Sequence, residues 1–237
     1  PRSEALRPPQ PPASPSAAGY LPALDGLRAV AVAAVVAFHL HRLDGGFLGV
    51  DVFFVISGFL ITRLLLAEHE RSGGVALGSF WSRRFRRLLP ALGEVLVATV
   101  LGSRAWLQAW RLTGIRNDAL AALAYVANWR FISSGQSYFT EGAVSPLRHT
   151  WSLSIEEQFY VLWPLIVLAA LAVGTRAGRT RGRAAVAVIA GALGLASAVW
   201  MAVLVARGGS LTRAYYGTDT RAFGEHTDSA GRVSFQN

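Results

Sequence analysis

Five stretches of this chain are long and apolar enough to cross a membrane as helices, and this feature restricts the fold more than any other. They cover residues 24–42, 46–67, 88–107, 155–173 and 184–206. A helix needs about 20 mostly apolar residues to span the hydrocarbon core of a bilayer. The composition agrees, because 52% of the residues are hydrophobic and 16% are charged, whereas about a quarter of the residues of a soluble domain are charged. We therefore predict an all-α fold, a polytopic transmembrane helix bundle.

Basic residues between the apolar stretches predict the orientation of the bundle. They concentrate in a predicted loop that ends in WSRRFRRLLP and in the later stretch GTRAGRTRGR, and cytoplasmic loops carry such an excess. This placement explains the net charge of +9 without a nucleic-acid partner. Two cytoplasmic loops need an even number of crossings between them, so residues 115–132, with their short apolar core, are predicted to form a surface or re-entrant helix. The N-terminus is then cytoplasmic, in a multi-pass protein of a bacterial-type inner membrane.

The two ends of the chain differ in composition from its apolar body. Residues 1–19 contain six prolines together with alanine and serine, a composition typical of a disordered tail. Residues 20–224 are predicted to form one transmembrane domain, and residues 225–237 an atypical polar tail. The sequence contains no cysteine, which excludes a disulfide framework, a thiol nucleophile and a thiolate metal site. We predict no metal.

Ionisable residues within or beside the apolar stretches are the candidate functional residues. Arg28 and His39 lie 11 positions apart in the first stretch, about 16 Å along a helix axis. Such groups are costly in a membrane and are often functional, although Arg28 could instead extend its guanidinium to the membrane surface and His39 could cap the helix. Asp51, Glu156 and Glu157 are predicted to lie near the outer ends of their spans, together with His149.

A histidine beside a carboxylate is the smallest arrangement that provides a general base and its orienting partner. We therefore predict catalytic roles for His39, Asp51, Glu156 and Glu157. The alternatives are structural, since Asp51 could cap a helix and the two glutamates could interact with a helix dipole. Adjacent glutamates face about 100° apart, so the sequence leaves open which of the two faces the site.

The arginine cluster Arg83–Arg87 has two interpretations. It could act only as a topology signal, or it could bind phosphate, because guanidinium groups make bidentate bonds to phosphate oxygens. On the second interpretation the cluster would hold a cytosolic donor that carries phosphate groups.

Five blocks of sequence, in this order, resemble the membrane-bound acyltransferase-3 family: LDGLRAVAVAAVVAFH, GGFLGVDVFFVISGFLIT, FWSRRFRRLLPAL, HTWSLSIEEQFYVLWPL and YYGTDTRAF. The resemblance implies transfer of an acyl group, often acetyl from acetyl-CoA, to a hydroxyl of an extracytoplasmic sugar, as in lipopolysaccharide or peptidoglycan. Arg28 and His39 match the family's Arg-x10-His signature. Arg84 and Arg87 match its Arg-x-x-Arg motif, which implies contact with the phosphates of CoA. The last two blocks match through Trp151–Gln158 and Thr218–Arg221.

The number of spans departs from the family pattern. Family members have about ten spans, whereas the sequence predicts five, and so we expect an N-terminal portion of an acyltransferase in which the bundle is truncated. On this interpretation His39 acts as a general base or carries the acyl group transiently. The alternatives are a transporter or flippase, whose intramembrane charges would line a substrate path, and an inactive acyltransferase fragment.

Overall fold

The computed structural model describes residues 21–136, 144–175 and 179–221, and all the regular structure in these ranges is helical. Within the described ranges, a 3-10 helix at Asp44–Leu48 accompanies nine α-helices: α1 Pro22–His39, α2 Gly49–Ser72, α3 Leu77–Trp106, α4 Ala109–Leu123, α5 Ala127–Ser133, α6 Thr150–Thr175, α7 Arg179–Ala206, α8 Leu211–Tyr216 and α9 Thr218–Arg221. Five helices in the described ranges, α1, α2, α3, α6 and α7, are long and apolar enough to cross a membrane. The predicted all-α transmembrane bundle is confirmed. The predicted tails 1–19 and 225–237 lie outside the described residues.

Helix α3 begins earlier than predicted. The sequence WSRRFRRLLP was assigned to a polar loop, and this prediction is wrong, since helix α3 already starts at Leu77. Arginine is a good helix former, and two aromatic residues of this turn bind the helix to α6. Phe80 stacks on Tyr160 with ring centroids 6.5 Å apart, and the Trp81 indole nitrogen donates to the Tyr160 carbonyl at 3.0 Å. Because these contacts hold the stretch against α6 as a helix, its arginines lie on a helix and not in a loop.

Helix α1 runs antiparallel to α2 and closely approaches two glycines, Gly46 of the preceding 3-10 helix and Gly49 at the start of α2. A side chain at Gly46 would collide with the backbone of Ala34, and one at Gly49 would collide with the backbone of Ala31. Small residues allow such close approach between membrane helices. This contact determines where the carboxyl end of α1, and therefore His39, lies relative to α2.

Helix α6 lies at the centre of the bundle and runs parallel to α2. Ser57 contacts Glu156, and farther along both helices the Trp163 indole nitrogen donates to the Thr62 hydroxyl at 2.7 Å. One core cluster fills the space around this second contact, with Ile61 and Leu65 of α2 packed against Trp163 and Val167 of α6. The polar residues near the start of α6 are thereby held against α2.

Helices α4 and α5 lie at the end of the bundle where α3 ends and α6 begins. Leu92 and Leu96, in the second half of α3, share a core cluster with Trp151 and Ile155 near the start of α6. The chain therefore leaves α3 and enters α6 at the same end, and the segment between them does not cross the bundle. This agrees with the prediction of a surface or re-entrant helix in 115–132, which the structure divides into two short helices.

Candidate functional site

Two consecutive carboxylates of α6, Glu156 and Glu157, occupy different environments. They lie more than one turn after the start of the helix at Thr150, beyond the first turn where a carboxylate interacts best with the helix dipole. The Glu157 side chain is 2% exposed and that of Glu156 is 28% exposed. Because neighbouring residues face about 100° apart on a helix, one carboxylate turns toward α3 and the other toward α2.

Glu157 forms a buried ion pair with Arg84. The Arg84 Nη2 and Nε atoms donate to Glu157 Oε1 at 2.6 Å and 2.8 Å, and the guanidinium carbon lies 3.0 Å from the centroid of the Tyr160 ring. Arg84 Nη2 is also 3.4 Å from Glu156 Oε1. The prediction that the arginine cluster and the glutamates lie at opposite ends of the bundle is therefore wrong for Arg84. Its long side chain and the early start of α3 bring it to the glutamates.

Glu156 is the glutamate that faces open space. Its Oε1 atom accepts a hydrogen bond from the Ser57 hydroxyl at 2.8 Å. The residue lines a cavity of about 910 Å³ between α2, α6 and α7, and also a smaller cavity of about 260 Å³ between α1, α2 and α6. Glu156 is thus a carboxylate that lines both cavities.

His39 lies one helical turn from the smaller cavity. It is exposed at the last position of α1, and its Nδ1 atom is 2.8 Å from the Val35 carbonyl oxygen. Since a carbonyl oxygen only accepts hydrogen bonds, Nδ1 carries the proton and Nε2 is the basic nitrogen of the neutral ring. Val35 and Val36 line the cavity that Glu156 also lines.

The two remaining basic candidates lie on the bundle surface. Arg28 is half-exposed, and its Nη1 atom is 3.6 Å from Asp25 Oδ1 in the same helix. Arg87 is exposed on α3, as are its neighbours Arg83 and Arg86. A guanidinium in such a position is accessible to a phosphate in solution.

Asp51 has a partner that we did not predict. It is 3% exposed and is paired with Arg221 of α9. The Arg221 guanidinium lies over the Tyr215 ring at 4.2 Å, its Nε atom donates to the Tyr215 carbonyl at 3.1 Å, and the residue lines the larger cavity. The arginine of the Thr-Asp-x-Arg block was visible in the sequence, but its position 170 residues after Asp51 gave no signal that the two would meet.

Outside the spans, two further titratable groups lie near the site. Burial would raise the pKa of Asp219, but bonds from Arg213 at 2.9 Å and 2.7 Å and from the Trp200 indole at 2.8 Å hold this pKa below its usual value. Asp219 lines the larger cavity, and there it remains a carboxylate.

Burial lowers the pKa of His149, and a hydrogen bond with the Pro146 backbone raises it by less, so this ring is neutral near pH 7. The described residues include no group of three or more potential metal ligands.

Comparison with known sequences identifies close relatives of this chain. A family model described as an acyltransferase domain matches residues 21–216. The chain is 47% identical over 207 residues to a protein named peptidoglycan O-acetyltransferase in Listeria monocytogenes and 44% identical over 210 residues to a putative peptidoglycan O-acetyltransferase of Bacillus subtilis. Each alignment covers 86% of this chain and 32% of the relative, so the chain spans about a third of their length. No solved structure matches.

Proposed function

Because the chain belongs to the acyltransferase-3 family, we propose that it provides helices of a membrane O-acetyltransferase that transfers an acetyl group from acetyl-CoA to a hydroxyl of peptidoglycan. The names of the relatives support peptidoglycan, rather than lipopolysaccharide, as the acceptor. The arginine-rich start of α3 supports a cytosolic donor, and the N-terminus of α1 is then cytoplasmic as well. His39 lies at the opposite end of α1, on the acceptor side.

The observation that carries the proposal is the cavity shared by Glu156 and the last turns of α1. Glu156 lines it together with Val35 and Val36, one turn below His39. The Nε2 atom of His39 takes the proton of the acceptor hydroxyl, whose oxygen attacks the carbonyl carbon of the acetyl group. The thioester bond breaks, and the imidazolium returns the proton to the departing thiolate. Glu156 balances the positive charge of Arg221 at the larger cavity, which both residues line.

Arg221 is the cation that stabilises the opposite charge. It lines the larger cavity with Glu156, where a guanidinium can bind the negative oxygen that forms when the hydroxyl attacks the carbonyl. Asp51 holds Arg221 from the other side and keeps the buried pair neutral overall. In this scheme Asp51 orients Arg221 and does not itself accept the proton.

Two arginines of α3 have different roles, one in helix packing and one in donor binding. Arg84 is bonded to Glu157 through Nε and Nη2, and it therefore positions α3 against α6. Arg87 is exposed on the same helix and provides the direct contact with the phosphates of CoA, which the half-exposed Arg28 supplements.

The experiment expresses the full native reading frame in membranes that lack other O-acetyltransferases and follows labelled acetyl from acetyl-CoA into peptidoglycan. Replacing His39 by alanine should reduce the rate about a hundredfold or more, the usual contribution of a positioned base. Glu156→Gln should also reduce it, since the amide removes the negative charge from the cavity that Arg221 also lines.

Two control variants replace exposed residues outside the proposed site. His41→Asn changes an exposed histidine two residues away, at a left-handed position (φ 52°) that asparagine tolerates. Glu94→Gln changes an exposed carboxylate of α3. Both controls should transfer acetyl at the normal rate. Near-normal transfer by a well-expressed His39→Ala protein would remove this histidine from the mechanism.

A further inference from the structure

We infer that Asn128, Gln158 and Thr218 form a positioning device that holds Arg221 at the cavity, and we call these three residues the amide cluster. They belong to three different helices, α5, α6 and α9. The inference rests on the proposed function for its catalytic consequence, but the device itself is defined by hydrogen bonds between the three side chains.

The amide cluster is a closed ring of hydrogen bonds. Asn128 Nδ2 donates to Thr218 Oγ1 at 2.9 Å, Thr218 Oγ1 donates to Gln158 Oε1 at 2.5 Å, and Gln158 Nε2 donates to Asn128 Oδ1 at 3.0 Å. The Tyr216 and Tyr125 backbone carbonyls fix the direction of the ring, because a carbonyl only accepts and each must face the NH2 group of its amide. A satisfied ring of this kind determines a single arrangement of its three helices.

The spare donors of the ring bind the backbone on both sides. Asn128 Nδ2 also donates to the Tyr216 carbonyl at 3.0 Å, and Gln158 Nε2 donates to the Tyr125 carbonyl at 2.7 Å. Asn128 is 0% exposed. Leaving a buried amide such as Asn128 without one of its partners costs more than a typical hydrogen bond contributes. Loss of the Thr218 hydroxyl would remove a partner of Asn128 and also the donor to Gln158 Oε1.

Helix α9 transmits the position of Thr218 to Arg221. The helix contains four residues, with Thr218 first and Arg221 last, so the two are separated by about 4.5 Å of helix rise. A second anchor joins α9 to α7, where the Ser197 hydroxyl donates to the Asp219 carbonyl at 2.6 Å. The amide cluster fixes the start of α9 against α5 and α6, and these contacts together direct Arg221 to Asp51.

The test compares Thr218→Val, which keeps the shape but removes the hydroxyl, with Thr218→Ser, which keeps the hydroxyl. Thr113→Val, at an exposed position of α4, is the matched control. The full native reading frame is used, with transfer of labelled acetyl as one readout. Since a misplacement of about 1 Å can cost up to a hundredfold in rate, Thr218→Val should lower kcat between about tenfold and a hundredfold with little change in KM for acetyl-CoA. Thr218→Ser and Thr113→Val should be near normal.

A second readout does not depend on activity. The sequence contains no cysteine, so spin labels can be attached at Ser133→Cys in α5 and Leu211→Cys in α8, both exposed, if no other part of the reading frame supplies a thiol. Thr218→Val should broaden the distribution of distances between the labels, and Thr218→Ser should not. An unchanged distribution would overturn the amide cluster as a positioning device, whatever the activity.

A double-variant comparison links the cluster to Arg221. In the Arg221→Lys background the cation is already displaced, so Thr218→Val should add less than about a twofold loss, because coupled residues are not additive. Equal losses in both backgrounds would show that the cluster acts on stability alone. A broadened distribution with normal transfer would leave the cluster intact as a structural device and contradict the role of Arg221 in the proposed function.

Discussion

Arg84 and Glu157 join α3 to α6 through the best-formed ion pair of the membrane-spanning helices that the structure describes. The pair has two hydrogen bonds to one carboxylate oxygen, at 2.6 Å and 2.8 Å, and the guanidinium lies against the Tyr160 ring. A buried carboxylate without this partner would be an uncompensated charge. The pair therefore fixes the position of α6 from which Glu156 reaches the two cavities.

Removing Arg84 should destabilise the protein. Arg84→Met leaves the Glu157 carboxylate buried and unpaired, and breaking a buried pair in this way costs about 3–5 kcal/mol. The double variant Arg84→Met with Glu157→Gln should recover part of the loss because the buried charge is gone. Thermal unfolding in detergent measures both, with Arg86→Met, at an exposed position of the same helix, as the control. Unfolding of Arg84→Met at the control's temperature would mean that the pair contributes nothing to stability.

Replacing Arg87 should weaken donor binding without unfolding the bundle. Arg87 is exposed, so Arg87→Ala should raise KM for acetyl-CoA with little change in unfolding temperature. Arg87→Lys should restore KM only in part, because lysine cannot make the planar bidentate contact with phosphate. Arg83→Ala, a neighbouring exposed arginine, tests whether the effect is specific. Equal changes in KM for the two alanine variants would favour a general effect of positive charge.

Short-range sequence patterns predicted the helices of the bundle, but they did not predict contacts between side chains that are far apart in the sequence. The five spans follow from apolar length alone. The short apolar core of the segment before α6 predicted a helix that does not cross, and the structure forms two short helices there, at the end of the bundle where α3 ends and α6 begins. The start of α3 was assigned to a polar loop because Arg83–Arg87 contains four arginines. The aromatic residues of this stretch pack it onto α6 as a helix, and such packing cannot be read from composition.

The candidate site shows the same limit. The sequence indicated His39, Glu156 and Glu157 as chemically interesting, and it left open which glutamate faces a cavity. That answer depends on Arg84, 73 residues away from Glu157. Asp51 was selected because it lies near the predicted outer end of its span, but its partner Arg221 is 170 residues away. No helical or strand periodicity joins residues at such separations, and only the packing of α2, α6 and α9 brings them together.

A side chain at Gly49 should separate α1 from α2. An added Cβ collides with the Ala31 backbone, so Gly49→Ala should lower the unfolding temperature and reduce acetyl transfer by displacing the end of α1 that carries His39. Gly93→Ala is the matched control, because nothing lies within 4 Å of an added Cβ there and alanine favours the helix. Unfolding temperatures are compared in detergent. A Gly49→Ala protein as stable and active as the control would show that α1 and α2 can separate without consequence.

The orientation of the bundle decides whether the proposed site faces the acceptor. The carboxyl end of α1, the end of α3 and the start of α6 lie at one end of the bundle, and the end of α2 and the start of α7, joined by Glu70 and the basic residue Arg183, lie at the other. If the basic end is cytoplasmic, His39 and Glu156 serve an acceptor outside. Ser134, exposed after α5, reports on this end of the bundle.

Single cysteines test this orientation, since the sequence has none of its own. Ser134→Cys and Arg42→Cys should react with a membrane-impermeant maleimide in intact cells. Ser72→Cys, exposed at the end of α2, should react only after permeabilisation, and each position serves as the control for the other end. Reaction of Ser134→Cys and Ser72→Cys from the same side would mean that the segment containing α4 and α5 crosses the membrane. Reaction of Ser72→Cys alone in intact cells would invert the bundle and place His39 on the side of the donor.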